Sequence, residues 1–414
     1  MRMLIFKLTE LTEKYLIYTK SKEDQVKENL MLADSLLELG LDKNAGRIIN
    51  QIEKLAERTD IKDGNYFLNR YELEKLKHIV YSRSYMATTV KDKPDESLLE
   101  ESNNLTAFYL INILKSYRYL LNKSYTVNSE YRLDFLPEIM EFLENEGKKY
   151  LKNITLKLLH MQIKLLLDSS DEKLFTELKA ALTDDRLKLE KFDRRDGLTI
   201  LSNLCIEKAY SGSEEFYSIL LEIEKYLVKK NLYNRVKGGY FDKEVFTNIV
   251  AIALREGEIS WAEEFIESNY KKLPPEIMEN ERNYCYSKLF IKTGDFEKAK
   301  EYISEVEYTD IHIKVNARIT KIIVEYELGN IEEVINEIEN FRKFIQNDKL
   351  LSKSNRKISS NFVKFSGKLC RARFSYKVNI NELKNEITGC EMVNNRKWLI
   401  EKADELMQRK NQFI

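Results

Sequence analysis

The residues best able to do chemistry are few and far apart. The three histidines, His78, His160 and His312, lie 82 and 152 residues apart on helix-like stretches, with no second ligand one turn away. A metal site needs convergent His, Cys or carboxylate donors, so these read as packing or surface histidines, and no metal or other cofactor is expected. Cys205, Cys285, Cys370 and Cys390 are scattered without zinc-type spacing, the pattern of reduced packing thiols in a cytoplasmic protein. No Ser/His/Asp or Cys/His arrangement has a local signature. Gly238-Gly239 leads into no P-loop or dinucleotide pattern and reads as a plain turn. Carboxylates, as at 337–340, alternate with lysine along helices and read as solvated faces. No residue is assigned a catalytic role, and the chain is read as a non-enzyme.

One charged surface stands out. Between Lys349 and Lys377 there are nine basic residues and no acidic one. On a helical projection Ile358, Phe362, Phe365, Leu369, Ala372 and Tyr376 form an apolar stripe. Lys353, Lys357, Lys364, Lys368 and Arg371 form a second stripe about a quarter turn away, along a helix that at ~1.5 Å per residue runs ~35 Å. Such a ridge suits a nucleic-acid backbone or an acidic partner. The favoured reading is local: Glu325, Glu327, Glu332, Glu333, Glu337 and Glu339 of the preceding hairpin offer a complementary face.

The elements that carry these residues are helical throughout. A chain of 414 residues exceeds one ordinary core, so it is either several domains or a stack of repeats. Only 4 prolines and 13 glycines interrupt a chain that is 43% hydrophobic and 33% charged, dominated by strong helix formers. The 68 basic and 68 acidic residues cancel, against a dedicated nucleic-acid protein. The apolar run Met3–Phe6 is too short for a signal-peptide core. The 154–168 stretch carries Lys157, His160 and Lys164 and falls far short of the ~20 apolar residues of a membrane span.

Gly257, Gly294 and Gly329, 37 and 35 residues apart, each end one helical pattern and open another. A glycine ends a helix in left-handed geometry, and a small residue one turn into the next helix permits close approach. Ala262 and Ala299 stand five residues past their glycines, as does Ala45 past Gly40; Val334 is the loosest match. Asp295 and Asn330 are placed to cap the second helices, and Glu258 complements a helix dipole. Pro274 lies where one hairpin closes and the next begins. Elsewhere the pattern predicts helices over 1–20, 64–87, 97–122, 133–146, 149–167, 171–182, 188–209, 214–231, 354–376 and 394–408, with turns at KDKP 91–94 and an elbow at 234–244.

This spacing and order resemble the tetratricopeptide repeat, a helical hairpin of about 34 residues. The resemblance implies an all-α, right-handed α-solenoid of antiparallel hairpins, irregular over 1–237 and regular over 238–414, within one continuous superhelix. Across the chain, the strings at 66–74, 105–110, 248–250, 261–267, 273–276, 361–365 and 396–402 together resemble a family of uncharacterised bacterial helical-repeat proteins. Members of that family carry a further helical segment ahead of this starting point, implying that Met1 opens a short form. Tetratricopeptide-like solenoids bind partners on the face lined by the first helix of each hairpin. The resemblance therefore implies a protein or peptide seated on Thr247, Ala251, Tyr284, Lys288, Ile319 and Ile323. These residues lack the repeated Lys/Asn set that clamps a peptide carboxyl terminus. A scaffold for a protein partner is the expectation, with a nucleic-acid-associated or regulatory protein using the basic helix as the alternative.

Overall fold

The computed structural model describes residues 2–85, 93–127, 131–234, 238–349, 351–374, 378–390 and 392–411. Part of the expected turn at 91–94, residues 235–237 of the expected elbow, and Tyr376 lie outside the described residues. Those residues hold nineteen α-helices, two short 3-10 turns and no strand. The fold is all-α, built from neighbouring helices packed as antiparallel hairpins, and divides into two compact units, Met1–Leu232 and Tyr233–Ile414.

Unit 1 holds ten helices. They are α1 (Arg2–Glu23), α2 (Gln25–Glu38), α3 (Asp42–Glu57), α4 (Gly64–Tyr85), α5 (Lys93–Val127), α6 (Leu136–Glu144), α7 (Ile154–Leu167), α8 (Glu172–Thr183), α9 (Lys191–Tyr210) and α10 (Phe216–Lys229). The α2–α3 hairpin turns at Gly40, whose φ of 73° is left-handed. It buries Leu30, Ala33 and Leu37 against Ala45, Ile48, Ile49 and Ile52, with Leu73 and Leu76 of α4 completing the cluster. The long helices α4 and α5 pack on each other, and α5 packs on α7. There Ile111, Leu114, Leu143, Leu156 and Ile163 form a second core.

Unit 2 is more regular. Its helices are α11 (Lys243–Arg255), α12 (Ile259–Asn269), α13 (Met278–Thr293), α14 (Phe296–Ser304), α15 (Ile311–Leu328), α16 (Ile331–Asn347), α17 (Lys353–Phe374), α18 (Ile380–Thr388) and α19 (Arg396–Asn411). Each of Gly257, Gly294 and Gly329 has φ of 80–81°. A Cβ at Gly257 or Gly294 would meet nothing within 4 Å, so backbone conformation and not crowding calls for glycine. After Gly294 the amide of Asp295 reaches back to the Phe290 carbonyl at 3.0 Å, closing the helix end. The small residues Ala262, Ala299 and Val334 are all fully buried. Each hairpin then packs on the next: α11 lies against α13, α13 against α15 and α15 against α17, with second helices between them.

Two local expectations differ from the structure. Asp295 caps α14 by accepting from the Lys298 amide at 3.2 Å. Asn330 makes no such cap: its Nδ2 donates to Glu325 Oε2 at 2.7 Å. The tail also contains α18, which the sequence reading passes over because its stretch offers just three spaced core residues, Ile380, Leu383 and Ile387. Asn379 starts this short helix by accepting from the Glu382 amide at 3.2 Å. Among the described residues no helix is long and apolar enough to cross a membrane.

Close approach at the buried alanines makes a direct prediction. Replacing Ala299, which has no exposed surface, by tryptophan overpacks the α13–α14 hairpin and should lower stability by about 1–3 kcal/mol. Chemical denaturation of the chain and of Ala299→Trp measures this; an unchanged midpoint would contradict close packing at that position.

Candidate functional site

The face formed by α11, α13 and α15 carries the most unusual chemistry in unit 2. On α13, Glu281, Tyr284, Cys285 and Lys288 follow at helical intervals and share one side. Cys285 is fully buried, and Tyr284 packs beside Ile303, Val306, Ile313 and Ala317. Lys288 is half-buried with its ammonium 5.5 Å from the Tyr284 ring centre. It has no carboxylate within salt-bridge distance among the described residues. Loss of water around it pushes this ammonium down to about 8, because burial penalises the charged form and no anion offsets it.

One turn before Tyr284 the same face holds a cluster drawn from three helix starts. Lys243 of α11 pairs with Asp310, the residue that caps α15. Asp310 also accepts from the amides of His312 at 2.8 Å and Ile313 at 3.1 Å. Burial works against its ionisation, but the Lys243 hydrogen bond and the two amides hold the carboxyl below its usual range. Glu281 lies beside this pair with 3% of its surface exposed. Its carboxyl is pushed up to about 7, first by burial, with Lys243 opposing and Asp310 adding to the rise.

The expected groove residues separate on this frame. Thr247 is half-buried and returns its hydroxyl to the carbonyl of Lys243 at 3.0 Å. Ala251 is exposed. Ile319 and Ile323 are instead 2% and 3% exposed and belong to a core that joins α15, α16, α17, α18 and α19. Spaced four apart on α15, they point into the packing with α16 and α17, so neither presents surface to a partner. Of the six, Ala251 is exposed, Thr247, Tyr284 and Lys288 are half-buried, and Ile319 and Ile323 are covered.

The basic stripe on α17 is partly neutralised, though by a different partner from the expected hairpin. Lys368 and Lys364 both reach Glu386 on α18, at 2.6 and 3.4 Å. Three glutamates of the preceding hairpin are engaged elsewhere: Glu325 with Lys300, Glu327 with Lys402 and Trp398, and Glu337 with Arg318. Lys353, Lys357 and Arg371 are exposed, and Arg371 turns its Nε back to the Gly367 carbonyl at 3.3 Å. A recess of about 370 Å³ beside Lys368 and Arg371 also contains Glu382 and Glu386, so its charge is mixed.

Unit 1 holds a polar network that sequence reasoning missed. Arg118 of α5 reaches Asp196 at 2.8 Å and Asp193 at 3.7 Å on α9, and Gln162 of α7 at 3.3 Å. Lys115 stands 2.7 Å from Asp193, and Arg195 pairs with Asp196. Arg194 donates to the carbonyls of Leu182, Asp184 at 3.1 Å and Leu187 at 2.7 Å, fastening the turn after α8. The available signal was Gly197 inside a charged helical run. A Cβ there would lie 2.8 Å from Leu182 and 3.0 Å from Gln162, so glycine lets α9 sit against α7 and α8. The network ties α5, α7, α8 and α9 together.

Among the described residues no group of three or more His, Cys, Asp or Glu side chains is placed to hold a metal ion. His160 is buried with Nε2 3.4 Å from Glu144, and burial pushes its imidazole below the ordinary value, while His312 is exposed. Trp261 stacks on Phe265 and Trp398 packs on Tyr326 and Phe362, all within unit 2 packing. Comparison with protein-family models, with curated proteins and with solved structures finds no match.

Two predictions test this electrostatic account. The Glu281 carboxyl has a folded pKa of about 7 against an ordinary value of 4.5, so between those values the unfolded chain releases the proton first. Stability therefore falls as pH rises through that window, by up to about 3 kcal/mol at neutral pH. Glu281→Gln should flatten that slope in denaturation measured from pH 4.5 to 7; parallel curves would contradict it. The double change Lys364→Glu with Lys368→Glu places three carboxylates together and should cost about 1 kcal/mol. It should leave nucleic-acid retention at background in a gel-shift assay, whereas loss of a salt-dependent complex would make the stripe a binding surface.

Proposed function

We propose that this chain is a non-catalytic scaffold of the tetratricopeptide type, a right-handed α-solenoid in unit 2 that holds a protein or peptide on its first-helix face. The repeated hairpin supports this reading, since each hairpin contacts mainly its neighbours and the product of stacking is extended surface. The observation that carries it is Lys288: a half-buried ammonium without a carboxylate, beside Tyr284, on the face that such repeats use. A partner supplying an aspartate, a glutamate or a phosphate-free acidic segment would compensate that charge in a partly dry setting, where an ion pair is strongest. Tyr284 would supply aromatic contact and Ala251 room for the partner's backbone. Free buried thiols at Cys205, Cys285 and Cys370 favour a reducing, cytoplasmic setting.

A second reading, a nucleic-acid-associated protein, draws on the exposed Lys353, Lys357 and Arg371. It stands behind the first because Glu386 already engages the middle of that stripe.

Affinity capture with the chain and with Lys288→Glu tests the proposal. A partner held by the parent chain should weaken at least tenfold with the variant, as expected for a central anchor, while circular dichroism stays unchanged. Its affinity should also fall as pH rises through about 8, where Lys288 loses its charge. A partner held equally well by both chains would place the binding surface elsewhere.

A further inference from the structure

The first helix carries a surface that the groove does not use. Helix α1 packs against α2, its neighbour in the chain, and every side chain from Arg2 to Tyr18 is exposed. Leu4, Leu8, Leu11, Tyr15 and Tyr18 are 55–73% exposed. Their intervals are 4, 3, 4 and 3 residues, the a/d spacing of a coiled-coil seam, while Met3, Ile5, Phe6, Leu16 and Ile17 add further apolar surface, 58–75% exposed, outside it. Projected down the helix, these five fall in one arc, which holds no charged residue between Leu4 and Tyr18 and reaches Lys22 one turn further on. A lone helix of 22 residues without alanine is marginal in water, so this element gains most of its stability from whatever covers the seam.

The residues beside the seam say what fits. Lys7 and Lys14 border it on one side, Thr12 and Thr19 on the other. If two such helices lie parallel, each lysine faces a threonine of the other copy. If they lie antiparallel, Lys7 faces Lys14, a like-charge contact softened by the Lys14–Glu10 pair at 2.7 Å. The area agrees as well. The five seam side chains leave roughly 600 Å² uncovered per chain, and with Ile5 beside them this approaches the ~800 Å² per partner of a standard interface.

We propose that α1 is a homodimerisation element, and that two copies of this chain pair through parallel α1 helices along the Leu4–Tyr18 seam. The pairing doubles the number of first-helix faces carried by one particle, so a partner with two acidic segments would bind with the gain of a bivalent contact. The dimer itself does not depend on what the groove binds.

Sedimentation of the 414-residue chain at micromolar concentration tests it. The chain should run as a dimer, and Leu8→Asp with Leu11→Asp should run as a monomer that loses at most the helical signal of the 22 residues of α1 while the rest stays folded, because those side chains are exposed in their own chain. Leu4→Cys should cross-link the two copies rapidly under mild oxidation. Antiparallel helices would hold those positions ~21 Å apart. A monomeric parent chain, a dimer that survives the double aspartate change, or a Leu4→Cys dimer that fails to cross-link would each overturn the proposal. So would a monomer whose α1 instead associates with lipid vesicles and loses that association in the double variant.

Discussion

Where Gly294 adopts left-handed φ, α13 stops within one residue and α14 starts at once, with Ala299 at the point of closest approach. The same arrangement recurs at Gly257 with Ala262 and at Gly329 with Val334, and every one of the three small residues is fully buried. Two helices this close bury apolar side chains on both, each large one worth ~1.5–3 kcal/mol. They can do so because nothing bulky intervenes. Once one hairpin is made, its outer faces are still apolar, and the next hairpin covers them. The contact of first helix with first helix, α11 on α13 on α15, follows from that stacking.

Stacking also explains the charges on the face. Three first helices side by side bring their starts together, so Lys243, Glu281 and Asp310 meet although they are distant in the chain. Lys243 and Asp310 satisfy each other, and among the described residues Glu281 has no hydrogen-bond donor, its carboxyl pushed up to about 7. Two turns along, Lys288 has no carboxylate partner among the described residues. Each is costly to the free protein, and each would be relieved by a suitably charged partner. By contrast, the buried arginines of unit 1 direct donors to Asp193, Asp196, Gln162 and helix-end carbonyls, with Arg195 Nη1 left over.

Much of this was legible because it depends on local rules. Helix ends at glycine, capping by Asp295 and small residues at closest approach are decided within a few residues. Even Val334, which breaks the alanine pattern, takes the same buried place. The readings that differ from the structure are those that need three dimensions. Ile319 and Ile323 match the groove register, but α16 and α17 cover them; no spacing rule on α15 alone could tell an open face from a covered one. Glu386 was missed as the partner of Lys364 and Lys368 because α18 is too short to show a periodicity. The Arg118 network joins residues 44 to 78 positions apart, and Gly197 was its single local trace.

The reading of the face turns on the Lys288 ammonium, half-buried and without a carboxylate partner among the described residues. A pH titration of Lys288 followed by carbon-13 NMR of its side chain tests that most directly, with Lys288→Arg to assign the signal. The account predicts an inflection near 8. A lysine titrating at its ordinary value of 10.5 would mean that water or an anion already satisfies the group, and the face would lose its claim to be the binding site.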